Sequence, residues 1–382
     1  MKRILIFIVR FVIAILFIIC IPYYYSCIYS FTESKSFSGD QFYNPYSNLD
    51  DEWLKANFHA HSKLAGGLAH GDNSPNEMLA EYDSIGYDLP CISNYNSIYN
   101  SERDLYVSDF EHGFNFGFVH QLVLNRNSSS WFDYPLFQSK HHKQFILNSL
   151  KEKDCIVALA HPNFQFGYNE DDVSMLVNYE LMEVISRTAS SVGRWDEALS
   201  SGHAVWAIGN DDSHEVDINS IGVCWTSINV NEKSAKSILK NLKRGRSIAT
   251  RGWRGQDMQQ LKFVNVEDGI MTVGLNKKAD SIILKSDAGK TVAFATNDSI
   301  ISYEIKPENS YVRTEVYETE PWNNYTRMYL NPILRSKTSE FISHTNKAEV
   351  SYFWTFLYWL GLFLFQWLLL FAFKRLKMKK IR

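Results

Sequence analysis

The 382-residue chain reads as an α/β protein followed by a small all-β module, with an apolar helix at each end. Three observations predict this. Between about residues 51 and 256, short apolar runs alternate with amphipathic segments, the pattern of buried parallel strands joined by crossover helices. Beyond that point the texture changes to apolar–polar alternation, as in Ser281–Lys285, Ser299–Ile305 and Tyr311–Glu318, which suits antiparallel β-structure. Residues 4–25 and 352–373 each match the run of about 20 apolar residues that crosses a bilayer as a helix.

Residues 4–25 contain a single charge, Arg10, and follow Lys2 and Arg3. An arginine at the bilayer centre costs about 2.5–3.5 kcal/mol. The reading therefore places Arg10 toward the headgroups, where its stem can snorkel, and runs the span from Phe11 into Tyr23–Tyr25. A signal anchor is preferred because no small-x-small cleavage site follows; a cleaved signal peptide is the alternative. Residues 26–50, rich in Ser, Tyr and Asn, are expected as a linker.

In the domain at 51–256, buried parallel strands are expected at Ala56–Ala60, Leu89–Ser93, Phe118–Leu124, Ile156–Ala160, Leu181–Ile185 and Ala204–Ile208. One helix is capped by Ser74, with Pro75 first and Glu77 third, and stops at Gly86. Others are expected at Ser139–Lys153, Arg194–Ser200 and Glu232–Lys243. The β-rich module is placed at 257–345, the second span at 352–373 and a basic tail at 374–382. Basic flanks favour the cytoplasm, so both termini are expected inside and the central domain outside, in an integral membrane protein.

The formal charge of −3 hides an asymmetry. Nine of the 39 cations lie in the two terminal segments, leaving 30 against 42 acids, a formal −12, for everything between. Phosphate backbones are bound by clustered Lys and Arg, and no basic stripe with interleaved aromatics is present, so nucleic acid is an unfavoured partner. Five cysteines form no disulfide framework; Cys91, Cys155 and Cys224 read as buried thiols.

Metal-binding residue types cluster where strands end. Asn57-Phe58-His59-Ala60-His61 puts two imidazoles on one face. Glu111 and His120 flank a Gly-rich stretch, His161 follows Ala158-Leu159-Ala160, and Asp212 and His214 share parity after Gly209-Asn210. Imidazole with carboxylate suits Zn, Mn or Fe. Singly, each residue is more simply a structural one. Together and in this order they point to a metal site.

The ordered set resembles the PHP (polymerase and histidinol phosphatase) superfamily of metal-dependent phosphoesterases. The matching stretches are NFHAHS, SPNEMLAEYDSIGYDLPCISNYN, the EHG stretch, LAHP, LMEVIS and WDEALSSGHAVWAIGNDDSH, within about residues 53–255. The resemblance implies a distorted seven-stranded β/α barrel, and makes 51–256 a PHP-like metal-binding domain. The later LKRGRSIATRG, YVRTEVYETEP and YLNPILR resemble the β-rich extension of membrane-associated and secreted members. One metal would be held by His59, His61, Glu111 and Asp212, the other by Glu111, His120 and His161. An alternative alignment puts Asn115 in the place of Glu111; the acid is preferred because an anionic bridge holds two cations close together.

The chain departs from the family at the third metal site. The family's Thr-Asp-His-Asn is here Ser93-Asn94-Tyr95-Asn96, so two divalent metals are expected and a third weak or absent. His214, with His70, would complete that site or act as general acid. Tyr95 could ligate only as a costly phenolate, since its ordinary pKa is near 10; otherwise it fills the vacated space. Arg187 and Arg194 are the candidate phosphate clamps. The implied function is hydrolysis of a small phosphoester by water activated between two metals. The alternatives are a catalytically silent, metal-bearing binding or sensory domain and a carboxylic-ester hydrolase. Any protein partner is left open.

Overall fold

The computed structural model describes residues 2–63, 71–252, 259–319, 325–340 and 346–376. After helix α1 (Lys2–Ile19) come two short strands, β1 (Tyr29–Phe31) and β2 (Gln41–Tyr43), and then β3 (Glu52–Asn57). Helix α2 (Pro75–Ser84) begins as its sequence requires. Ser74 Oγ accepts from Glu77 N (3.3 Å), Glu77 Oε2 accepts from Ser74 N (2.7 Å), and the helix ends ahead of Gly86 at φ +77°. The strand–helix alternation continues through β4 (Leu89–Pro90), β5 (Asp109–His112), β6 (Gln121–Leu124), α3 (Lys140–Leu150), β7 (Ile156–Leu159) and α4 (Glu170–Met175). It closes with β8 (Leu181–Ser186), α5 (Val192–Ser200), β9 (Trp206–Asn210), β10 (Cys224–Val230), α6 (Ala235–Lys243) and β11 (Ser247–Arg251).

The β-rich part consists of β12 (Leu261–Glu267), β13 (Ile270–Ser286), β14 (Lys290–Glu304), β15 (Tyr311–Thr319) and β16 (Tyr325–Ser336). A short β17 (Ala348–Val350) leads into α7 (Tyr352–Arg375). Strands β5-β6-β7-β8-β9 form one sheet. A ten-stranded sheet runs β12-β13-β15-β16-β11-β10-β3-β4, with β14 on β13 and β2 on β16. The β-rich part and the strand–helix part therefore share a sheet, through the β11–β16 ladder. Every residue of β6, β7 and β8 is buried.

Three expectations change here. First, the 118–124 segment starts its strand only at Gln121 and pairs antiparallel with both neighbours. Second, residues 26–50 are folded: β1 pairs with β17, β2 pairs with β16, and Tyr46 is buried with its hydroxyl on Ser247 O (2.7 Å). Third, the ladders of the described residues do not close into a barrel.

Two single bridges instead join the sheets. Ala60 pairs with Ser213 and Tyr95 pairs with Glu111. At the first seam the ladder is replaced by two buried asparagines that exchange places. Asn57 Oδ1 accepts from Asp211 N (2.8 Å), and Asn210 Oδ1 accepts from Phe58 N (2.8 Å). Backbone donors that diverging strands would leave orphaned are satisfied by these side chains.

Helices α1 and α7 are both long and apolar enough to cross a membrane. They lie side by side and antiparallel. The Arg10 guanidinium sits 4.3 Å from the Phe373 ring, Gln366 Nε2 donates to Phe17 O (3.3 Å), and Tyr24 OH donates to Gln366 Oε1 (2.9 Å). Their basic ends thus lie together, and Arg10 is level with the Lys374–Arg375 end of α7.

A buried charge cluster joins α5 to β15. Arg313 Nε and Nη2 donate to the two oxygens of Asp196 (2.7 Å each), and Nη1 donates to Glu315 Oε1 (2.6 Å). Removing the cation strands two carboxylates in the interior. Arg313→Ala is therefore expected to cost about 3–5 kcal/mol, read as a fall in the thermal unfolding midpoint, well beyond that of an exposed change such as Lys290→Ala.

Candidate metal centre

The side chains that the sequence singles out converge from five strand ends. His59 and His61 follow β3, Glu111 lies in β5, His120 immediately precedes β6, His161 follows β7, and Asp212 and His214 follow β9. Glu111 is completely buried at the middle. Its Oε1 lies 2.7 Å from His120 Nδ1, 3.1 Å from His161 Nε2 and 3.4 Å from His59 Nε2, while Oε2 lies 3.2 Å from His61 Nε2. Asp212 Oδ1 lies 3.2 Å from His59 Nε2, 3.5 Å from His61 Nε2 and 3.6 Å from His214 Nε2. Two groups have ligand atoms close enough together to share an ion: His59, His61 and Asp212; and His59, Glu111 and His161.

Several of these atoms are buried without a hydrogen-bond partner: His59 Nε2, both ring nitrogens of His61, and Glu111 Oε2. Their nearest neighbours, at 3.2–3.5 Å, are the same few nitrogens and carboxylate oxygens, so these atoms crowd around one space. A buried polar atom left unpaired costs about 1–3 kcal/mol. Donors of imidazole and carboxylate type arranged around such a gap fit a divalent cation.

The surroundings hold the cluster in place. Glu183, buried in β8, takes His59 Nδ1 on Oε1 (3.0 Å) and His161 N on Oε2 (2.9 Å), and Asn210 Nδ2 also donates to Oε1 (2.9 Å). A carboxylate on Nδ1 leaves the lone pair of His59 at Nε2, facing the gap. Sequence reasoning passed over Glu183, although a lone acid inside the apolar run Leu181–Ile185 is a usable signal. Asp211 accepts from Gly222 N, Val223 N and Cys224 N (2.8, 2.8 and 2.7 Å) and from Tyr82 OH (3.1 Å). Burial lifts its carboxyl to about 6 against those donors.

Asp212 and His161 adopt φ of +53° and +27°, a region costly for non-glycine residues and often found at functional sites. Gly113, at φ +144°, lies against the imidazole of His120: a Cβ there would come within 2.3 Å of the ring. The alternative residue Asn115 stays outside the cluster and clamps its own turn through Val119 N, Val119 O and Asp133.

At the altered third position, Asn94 is a strut that takes Ser62 N on Oδ1 (2.8 Å). Tyr95 stacks on His61 at 4.4 Å, and His214 stacks on the same ring at 4.4 Å. Burial, then the charges of Glu111 and Asp212, push the Tyr95 phenol up, so it stays protonated and bonds to Glu111. His70 lies outside the described residues. A cavity of about 310 Å³ opens over the cluster, lined by Tyr95, His120, His161, Asp212 and His214 and by Phe118, Phe164 and Arg187. Arg194 is elsewhere, paired with Glu197 (2.6 Å).

A scan of protein-family models and a search of curated sequences find no match. Among solved structures, a two-domain protein from Bacteroides vulgatus described as containing a predicted PHP-like metal-dependent phosphoesterase is 12% identical. The match covers 84% of this chain and 99% of that one, with a TM-score of 0.41. The lesion-specific endonuclease Q of Pyrococcus furiosus is 12% identical over 50% of this chain and 56% of its own, with a TM-score of 0.35. A complex of endonuclease Q with a 27-mer duplex carrying an abasic lesion scores 0.34, at 13% identity over 50% and 57%. At these scores the likenesses do not bear on the chemistry, which rests on the side chains themselves.

Burial would raise the Glu111 carboxyl, but His120 and His59 hold it well below the usual carboxylate range; Asp212 is held down likewise by His59, His214 and His61. Burial would lower His59, His61 and His161, but the same carboxylates raise all three, His59 most. A raised imidazole stabilises the fold below its unfolded pKa, near 6.5, and loses that contribution as pH rises through the folded value. The two carboxylates contribute above about pH 4 and lose it in more acid solution. Metal-stripped protein is therefore expected to melt at progressively lower temperature above about pH 6.5. Zn or Mn, competing with protons for these nitrogens, should flatten that decline. Melting curves of stripped and loaded protein across the range check both halves.

Proposed function

We propose that the chain is a membrane-anchored, PHP-like metal-dependent hydrolase acting on phosphoesters. The observation that carries this reading is the gap between Glu111 and Asp212, ringed by unpartnered imidazole nitrogens and opening into a cavity that Arg187 also lines. In this reading His59, His61, Glu111 and Asp212 hold one divalent metal, and Glu111, His120 and His161 hold a second. Strands β3 to β9 act as a distorted seven-stranded barrel whose two seams are the single bridges.

Such metals, when bound, supply a water of lowered pKa and positive charge beside the reacting phosphate. The chain's own residues do the rest. Arg187, whose Nε is buried without a partner, offers a fixed cation to the phosphate oxygens. His214, beside Asp212 and partly exposed in the cavity, is the imidazole that in this reading protonates the leaving oxygen. Phe118 and Phe164 exclude water from one wall. Glu183 and Asp211 set the orientation of the ligands. The antiparallel pair α1 and α7 crosses the bilayer, with the basic ends in the cytoplasm and residues between them outside.

Tyr95 favours a second reading, a metal-bearing domain without turnover, since it fills space where a third metal would meet substrate. Hydrolysis of a carboxylic ester uses the same ligands. Metal analysis of the full-length protein in detergent is expected to find two metals per chain. Glu183→Gln should weaken metal affinity by about 10–100-fold, and His161→Ala should abolish Mn-dependent hydrolysis of p-nitrophenyl phosphate. Two bound metals with no turnover of any ester would establish the silent domain. Turnover of p-nitrophenyl acetate alone would establish the carboxylic esterase.

A further inference from the structure

We infer that the mouth of the cavity is held against the bilayer, and that the phosphoester it takes is carried on a membrane lipid. This rests on the hydrolase reading above and adds the substrate class.

Outside α1 and α7, and among the described residues, five of the seven aromatic side chains exposed by more than 60% lie on neighbouring segments, the other two being Tyr25 and Phe294. Phe114, Phe116, Trp131, Phe137 and Phe166 are exposed by 76, 73, 67, 73 and 73%. They sit on three segments that touch. Phe116 N donates to Pro135 O (3.0 Å), Phe114 N to Asp133 Oδ2 (2.6 Å), and a Cβ on Gly117 would stand 3.9 Å from the Phe166 carbonyl oxygen. A contiguous apolar patch of this kind marks an interaction surface, and aromatic rings are the side chains a membrane–water interface takes best.

The patch is fastened to the spans at headgroup level. Tyr23, just beyond α1, donates its hydroxyl to Phe137 O (3.1 Å) and accepts from Leu136 N and Phe137 N (3.3 Å each), and the Tyr25 ring lies 5.5 Å from Phe132. From α7, Tyr358 OH donates to Tyr23 O (3.0 Å) and meets His142 Nε2 (3.0 Å) at the start of α3. At its other edge the patch runs into the cavity. Phe118 packs 5.9 Å from His120 and 5.5 Å from Phe164, and Phe164 packs 5.6 Å from His161. One aromatic surface thus leads from the end of the span to the imidazoles, ending on a floor that carries Arg187. An apolar approach with a cationic floor matches a phosphate whose alcohol is a lipid; a sugar phosphate gains nothing from the exposed phenylalanines. In the hydrolysis, the water oxygen bonds to phosphorus as the phosphorus–oxygen bond to the lipid breaks, and the lipid oxygen takes the proton.

The test uses the full-length, Mn-loaded protein in phosphatidylcholine vesicles. Phosphatidic acid in the vesicles is expected to be hydrolysed at least tenfold faster than glycerol 3-phosphate or p-nitrophenyl phosphate at equal concentration. The triple variant Phe114→Ser, Phe116→Ser, Phe166→Ser, none of which lines the cavity, should lose at least tenfold on the lipid and nothing on p-nitrophenyl phosphate. A nitroxide on Phe116→Cys should report bilayer depth, and one on Phe294→Cys, on β14, water. Equal rates on soluble and lipid esters, an unaffected triple variant, or a water-exposed label at 116 each overturn the lipid assignment while leaving the hydrolase. Loss of turnover on every ester overturns both.

Discussion

One carboxylate organises this molecule. Glu111 is sealed from solvent and faces four imidazoles, an environment in which an unpaired charge would cost several kcal/mol. It can stay ionised there only because positive charge, whether protons on the imidazoles or cations between them, is always at hand. The surrounding architecture keeps that charge within reach. Strand β3 delivers two histidines, Glu183 fixes one of them, Asp211 anchors the turn that presents Asp212, and glycine at 113 leaves room for His120.

The histidines were legible because they stand where apolar runs stop, at spacings that a strand converts into a shared face. What escaped notice was whatever depends on distant partners. Strand β5 carries Asp109, Glu111 and His112 in four positions, all buried, and a hydrophobicity pattern cannot announce a strand whose interior face is charged. Strands β10 and β11 hold Thr226, Ser227 and Thr250, polar residues whose partners lie on each other's strands and on β3, β16 and β9. The 26–50 stretch looked like a linker for the same reason: β1 and β2 are three residues each and exist through pairing with residues about 300 positions away.

The barrel expectation shows the limit differently. Among the described residues, β3 and β4 lie in one sheet and β5 to β9 in another, and two single bridges are what joins them. At one, Asn57 and Asn210 replace ladder bonds with side-chain bonds, and just beyond it Asp212 takes its positive φ. Across that seam Asp212 Oδ1 lies 3.2 Å from His59 Nε2 and 3.5 Å from His61 Nε2, so the two halves of the cluster meet where the ladder is broken.

The shared sheet has a consequence for how the protein can be divided. Strand β11 is the last element of the strand–helix part, and β16 covers it along Ile248–Arg251. Cutting the chain after residue 256 would bare that edge together with the acid of Asp196, turning a paired interior strand into an open template for association with other chains. The β-rich part is thus a lid on a sheet edge as much as an appendage. A shortened form of this protein that keeps its ladders intact has to retain both parts and to begin no later than β1, which pairs with β17 in a two-stranded sheet of its own.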